Sequence, residues 1–228
     1  MARLDTLTLR ERVHDHLKQE ILANHYLPGS ELLEVPLSEE LGVSRGPIRE
    51  ALRSLESEGL VQITPRRGAV VVSLTKRDFL EAYQVREALE ALGVRLAVPI
   101  MSAAALDDLD AQLEVMTRHA AADDVDAFFD ANARFHTAFV EASGNRQLVE
   151  VYRRLMAQMG PYRRPSARLR GNVERSIAEH RKILVAARKR DVEAAVAHLM
   201  KHVEVPQRLL ERMTDEDFSR AVNGSSLS

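Results

Sequence analysis

Residues 41–52 read Leu41-Gly42-Val43-Ser44-Arg45-Gly46-Pro47-Ile48-Arg49-Glu50-Ala51-Leu52, and this stretch decides the fold of the first third of the chain. Gly42 suits the left-handed C-cap of a short helix that starts near Pro36, a residue favoured in a first helical turn. Ser44 then starts a new helix as its N-cap. Ile48, Ala51, Leu52 and Leu55 recur on one face of that helix, and Gly59 ends it. Arg45, Arg49 and Arg53 recur at four-residue spacing on the opposite face. A helix that enters the major groove needs such an outward row of long donors, because arginine pairs with guanine edges bidentately and reaches phosphates from the same side.

The flanking sequence supports that use. Upstream, Thr8 and Glu11 have the form of a capping box, Leu9, Val13, Leu17 and Ile21 mark one helical face, and Leu27-Pro28-Gly29 ends the helix. Downstream, residues 60–63 and 69–73 read as two strands joined by Thr64-Pro65-Arg66-Arg67-Gly68, a basic turn. Helix, helix, turn, helix and hairpin make a winged helix-turn-helix. Ser44 is a candidate both for the cap and for a phosphate contact. Gly46 and Pro47 allow the backbone to approach DNA closely, and Arg66, Arg67 and Gly68 occupy the wing tip. An arginine row can also be a plain solvated face; here its place between a helix-turn and a basic-tipped hairpin favours duplex DNA. A single module buries little DNA, so specific binding calls for two copies, a homodimer on a two-part operator. Tyr26 is the one aromatic residue before Phe79, which argues against a stacking platform for single strands.

Composition limits the remaining possibilities. The 228 residues are 45% hydrophobic and 29% charged, enough for real cores. No stretch approaches the apolar length of a membrane span and the first ten residues lack the apolar core of a secretion signal, so a cytoplasmic protein with no membrane partner is expected. With no cysteine, thiol chemistry and cysteine-based zinc fingers are excluded. The net charge of −2 gives no global sign of a nucleic-acid partner; the signal is local. From about Thr75 the texture changes to long amphipathic helices. The chain divides into a winged helix-turn-helix at 1–75, an all-α helical bundle at 76–213 for effector binding and dimerisation, and a flexible tail at 214–228. About six helices are expected in the bundle, with a loop at 160–171 and a kink at Pro206.

Three histidines of the bundle face inward by helical period. His136 pairs with Asn132 one turn earlier, His180 lines up with Ile177 and Leu184, and His202 lines up with Ala195, Val205 and Leu209. Three inward histidines on three helices can converge on one point and hold a metal, although each alone is equally a satisfied core residue. His198, a turn before His202, is an alternative ligand. His14, His16, His25 and His119 read as surface residues. Arg86 can clamp a carboxylate or form an i,i+4 salt bridge to Glu90.

The run Leu27-Pro28-Gly29, then 41–52, Leu55-Glu56, Glu58-Gly59-Leu60-Val61 and Pro65–Gly68 resembles the winged-helix domain of the GntR family of bacterial transcription regulators. The helical remainder resembles the FadR-like branch, whose effector domain is called FCD; six helices rather than seven would place it nearer the VanR-type subgroup. The resemblance implies a divalent metal, with zinc, nickel and manganese all compatible, held by Asn132, His136, His180 and His202. It also implies a small carboxylate effector bound at the metal, the kind of group that Arg86 could clamp. Many relatives have Asp where this chain has Asn132; the neutral amide holds metal less tightly and leaves more positive charge at the site. The competing class is a metal-dependent hydrolase. It is disfavoured because no carboxylate is expected beside these histidines, Glu179 pointing about 100° away from His180 around its helix. A third reading makes the histidines purely structural.

Overall fold

The computed structural model describes residues 8–64, 68–168 and 173–222, with side chains throughout except at 163–168 and 221–222. Internal contacts divide the chain into two compact units, Met1–Thr75 with Arg153–Pro161, and Lys76–Tyr152 with Tyr162–Ser228.

In the first unit α1 (Leu9–Leu22) opens with a true capping box: Glu11 N–H donates to Thr8 Oγ1 at 3.2 Å and Thr8 N–H to Glu11 Oε2 at 2.7 Å. Val13, Leu17 and Ile21 are buried; Leu9, read as part of that face, is exposed in the first turn. After β1 (Glu31–Leu32), α2 (Glu34–Leu41) ends on left-handed Gly42, and α3 (Arg45–Ser57) buries Ile48, Ala51, Leu52 and Leu55 in the same core as α1. Strands β2 (Val61–Thr64) and β3 (Gly68–Val71) form the hairpin, and β1 adds to β3 to give an antiparallel sheet in the order β1-β3-β2. β1 is too short to show period-two alternation, which is why sequence reading missed it. Gly68 sits at φ +81° with Leu33 Cδ2 only 3.1 Å from where a Cβ would lie, so the strand needs glycine there. Ala157, on the later stretch of chain that belongs to this unit, packs against its core.

The second unit is helical: α4 (Lys76–Ala97), α5 (Ala103–Ala121), α6 (Val125–Ala142), α7 (Arg146–Arg168, whose Arg153–Pro161 counts with the first unit), α8 (Val173–Arg188), α9 (Val192–Arg212) and α10 (Asp215–Val222). Seven helices are described in place of the six expected, which removes the ground for the VanR-type subgroup. The extra one lies in the segment read as a tail. Thr214 and Asp217 cap it reciprocally, with Asp217 N–H donating to Thr214 Oγ1 at 3.1 Å. Phe218 is buried against Phe79 and Tyr162. Residues 223–228 lie outside the described residues. The expected loop at 160–171 is helix as far as Arg168, because Tyr152, Met159 and Tyr162 continue one buried helical face past Gly160-Pro161. α9 runs through buried Pro206. No described helix is long and apolar enough to cross a membrane.

α4 packs on α6 and α9, α5 on α6 and α8, and α8 on α9. α4 approaches α6 tightly at Gly93, where a Cβ would meet Val140 Cγ2 at 3.0 Å and Val140 Cα at 3.1 Å. A side chain there must push the two helices apart. Gly93→Val is expected to lower stability by about 1–3 kcal/mol in urea unfolding, the cost of overpacking a filled contact; an unchanged midpoint contradicts this account of the α4–α6 contact.

Candidate functional site

Two groups of side chains stand out, one in each unit. In the first unit, Ser44 is the N-cap of α3 by backbone conformation, but its hydroxyl makes no capping bond. It fills the expected cap position by backbone, without the side-chain bond. Arg45, Arg49 and Arg53 are all exposed along α3, as the spacing predicts, and Gly46 faces open space. Arg49 is not idle, however. Its Nε and Nη2 donate to Glu34 Oε1 and Oε2 at 2.8 and 2.7 Å. Arg53 Nη1 donates more loosely to Glu50 at 3.2 Å. Gly68 is placed in β3; Arg66 and Arg67 lie outside the described residues.

In the second unit His136 of α6, His180 of α8 and His202 of α9 converge, each offering a ring nitrogen such that all three lie within 4.8 Å of one another. All three are buried, as is Asn132, one turn before His136. His198 is not part of this group; it lines a surface groove with Arg181, Lys182 and Lys189. The outward nitrogens decide the chemistry. His180 Nδ1 lies 2.6 Å from the carbonyl oxygen of Ser176, which can only accept, so Nδ1 carries the proton. His202 Nδ1 lies 2.8 Å from Glu179 Oε2. His136 Nδ1 lies 2.8 Å from Glu90 Oε2, close but off the line of a hydrogen bond. Burial, and then the neighbouring His202 and His136, push the His180 imidazole well below its usual pKa, so it is neutral. With its proton on Nδ1, His180 turns its Nε2 lone pair inward, and His136 Nε2 lies 3.1 Å from it, within hydrogen-bond distance. A proton on His136 Nε2 makes this contact a hydrogen bond; with both Nε2 atoms deprotonated, the two lone pairs face a common point where a cation can sit. The separation suits two nitrogens on one ion at about 2.0–2.1 Å from each, and a carboxylate or carbonyl behind each imidazole is the usual outer support of a metal site.

The expectation that no carboxylate stands beside these histidines is overturned. Glu179 does point away from His180, but it points at His202 on the neighbouring helix. Glu90 reaches His136 across the α4–α6 contact. Both stand behind the histidines rather than on the side where the lone pairs converge. Glu90 is also bound by Arg86 Nε at 2.7 Å and by the Tyr152 hydroxyl at 2.8 Å. Of the two roles open to Arg86, the structure realises the salt bridge; its guanidinium also lies over the Tyr83 ring, 5.3 Å from the centroid. Burial opposes both charges, but Arg86, with His136, holds the Glu90 carboxyl far below the usual range, and Glu90 in turn holds Arg86 charged. Sequence reading named Glu90 only as a partner for Arg86 and did not name Tyr152. His14, read as a surface residue, is largely covered and pairs with Glu58 at 2.6 Å.

An exposed arginine row on the second helix of a helix-turn-helix, followed by a wing, defines a DNA-binding regulator, and the helical unit adds a buried polar centre able to take a ligand. Comparison with known proteins agrees. The family model described as bacterial regulatory proteins, gntR family, matches residues 9–71, and the FCD domain model matches residues 81–205. The chain belongs to the GntR family of transcription regulators, with an FCD effector domain, and is not an enzyme. It is 32% identical over 200 residues to the uncharacterized HTH-type transcriptional regulator YdhC of Bacillus subtilis, covering 83% of this chain and 85% of that one. The gluconate operon transcriptional repressor of Bacillus subtilis is 31% identical over 70% of this chain and 65% of its own. The solved structure of Escherichia coli McbR/YncC superposes with a TM-score of 0.76 at 25% identity, over 91% of this chain and 99% of that one.

Removing the Glu90 carboxylate leaves the Arg86 guanidinium buried and unpaired. Glu90→Ala is expected to cost about 3–5 kcal/mol in chemical denaturation, whereas Glu81→Ala, which breaks the exposed pair with Arg77, should cost about 0–1 kcal/mol. Equal effects of the two contradict the role given to Glu90.

Proposed function

We propose that this regulator binds a two-part operator as a homodimer and that its affinity responds to a small carboxylate bound at a divalent metal held by Asn132, His136, His180 and His202. The observation that carries the reading is the convergence of three buried imidazoles: His180 and His202 are held on Nδ1 by an acceptor, His136 Nδ1 lies beside Glu90, and a ring nitrogen of each can face a common point. Zinc, nickel and manganese all suit imidazole with an amide oxygen. When bound, the ion supplies a positive centre that a carboxylate can join. The residues nearest it, three neutral imidazoles and an amide, add no negative charge of their own. One relative is named as the repressor of a gluconate operon, and gluconate is a carboxylate. Arg86 acts in this scheme through Glu90, keeping the His136 partner ionised, rather than as a direct clamp.

On the DNA side Ser44, Arg45, Gly46, Pro47, Arg49 and Arg53 face the major groove, and Arg66, Arg67 and Gly68 the adjoining groove. Val85, Leu92 and Leu96 form an exposed apolar row on α4, continued by Ile100 at 66% exposure, and a second copy covering it would make the homodimer that two half-sites require. The protein acts in the cytoplasm. A change at Glu90 can reach the first unit along the chain: α4, which carries Glu90, follows Thr75 directly, and Tyr152, which holds Glu90, directly precedes the stretch of α7 that belongs with the winged helix. The effector then shifts DNA affinity by the difference in its own affinity for the two arrangements.

Gel retardation with DNA upstream of the chain's own coding region tests the DNA half. Retardation that weakens with rising salt and is lost in Arg45→Ala is expected; no retardation at low salt contradicts it. Elemental analysis tests the metal half. About one divalent ion per chain is expected, removed by chelation and absent from His180→Ala; a metal-free wild-type protein whose DNA binding still responds to carboxylates contradicts the metal site.

A further inference from the structure

The pairing of Arg49 with Glu34 is side-on. Nε uses its one N–H and Nη2 one of its two, at 2.8 and 2.7 Å. That leaves one N–H on Nη2 and two on Nη1, and the free Nη2 N–H with the adjacent Nη1 N–H forms the end-on edge of the fork. A guanine presents O6 and N7 in the major groove as two acceptors that match such an edge. Glu34 itself is fixed as the first residue of α2, where the helix N-terminus favours a carboxylate. The pair is about half exposed, so its contribution to folding is small and does not account for a two-bond geometry spanning two helices. Arg49 and then Arg45 and Arg53 hold the Glu34 carboxyl below its usual range, so it stays ionised among all three arginines.

We propose that Glu34 is a specificity-determining residue of the DNA-reading surface: it stands behind Arg49, holds the guanidinium end-on for a guanine, and keeps it from turning to a phosphate. A carboxylate at this place also repels the phosphate backbone, so it lowers binding to arbitrary sequence while sharpening the reading of one base pair. The proposal rests on the DNA-reading function above.

The experiment takes the full-length protein, selects duplexes from a random-sequence library, and measures affinities for the selected duplex, for its single-base variants and for calf thymus DNA at fixed salt. Glu34→Ala should reduce discrimination at one guanine position about tenfold, within the range a bidentate pair provides, and bind calf thymus DNA more tightly than wild type. In an Arg49→Ala background the same change should leave discrimination at that position unaltered. Glu34→Ala with wild-type base preference overturns the proposal. So does a variant that tightens on the selected and the calf thymus DNA equally, since Glu34 would then be only a competing anion. A wild-type protein that selects no sequence overturns the DNA-reading function itself, and is recognised by failing before any variant is compared. Circular dichroism of each variant confirms that α2 and α3 remain folded.

Discussion

Glu90 is the constraint on which the second unit depends. An ionised carboxylate out of contact with water needs partners in place at all times, and this one takes them from its own helix and from two others: Arg86 on α4, Tyr152 on α7 and His136 on α6. Gly93, one turn along α4, lets α4 and α6 come close enough for the last of these. With Glu90 behind it, the His136 ring faces His180 and His202 with its other nitrogen. A choice about where one charge can be buried thus becomes a choice about where a lone pair points.

The same arrangement recurs twice more. Ser176 C=O stands behind His180, and Glu179 behind His202. In the first unit Glu34 stands behind Arg49. In each case the group proposed to touch a ligand is oriented by an acceptor on its far side, so its remaining donor or lone pair has one direction. The negative charge of Glu90 and Glu179 lies outside the ring of imidazoles rather than among their inward nitrogens. That placement, with Asn132 in place of an acid, is what makes the proposed centre suited to an anion.

The winged helix was legible because its signals are local. Gly42, Ser44 and the four-residue arginine spacing act within one or two turns, and the residues that set them are neighbours in sequence. The inward sense of His136, His180 and His202 was legible for a similar reason, since each could be aligned with apolar residues on its own helix. The outer partners were not. Glu179 was placed correctly on α8, pointing away from His180, but His202 arrives at that side from α9, and helical period carries no information about which neighbour packs there. Glu90 was assigned to Arg86 by its i,i+4 spacing, and its reach to His136 exists only once α4 and α6 are in contact. α10 did have a signal, the Thr214 and Asp217 capping pair with Phe218 following, set in a polar end that otherwise read as frayed. Gly160-Pro161 read as a stop, yet the buried face of α7 outweighs it.

The central claim is that three imidazoles keep their protons outward and their Nε2 lone pairs on a common centre. X-ray absorption spectroscopy at the edge of the metal carried by the purified, untagged protein tests it most directly. The account predicts a first shell of nitrogen and oxygen donors with the outer-shell scattering of three imidazole rings, reduced to two in His202→Ala. A first shell without imidazole scattering, or one unchanged by that substitution, contradicts it.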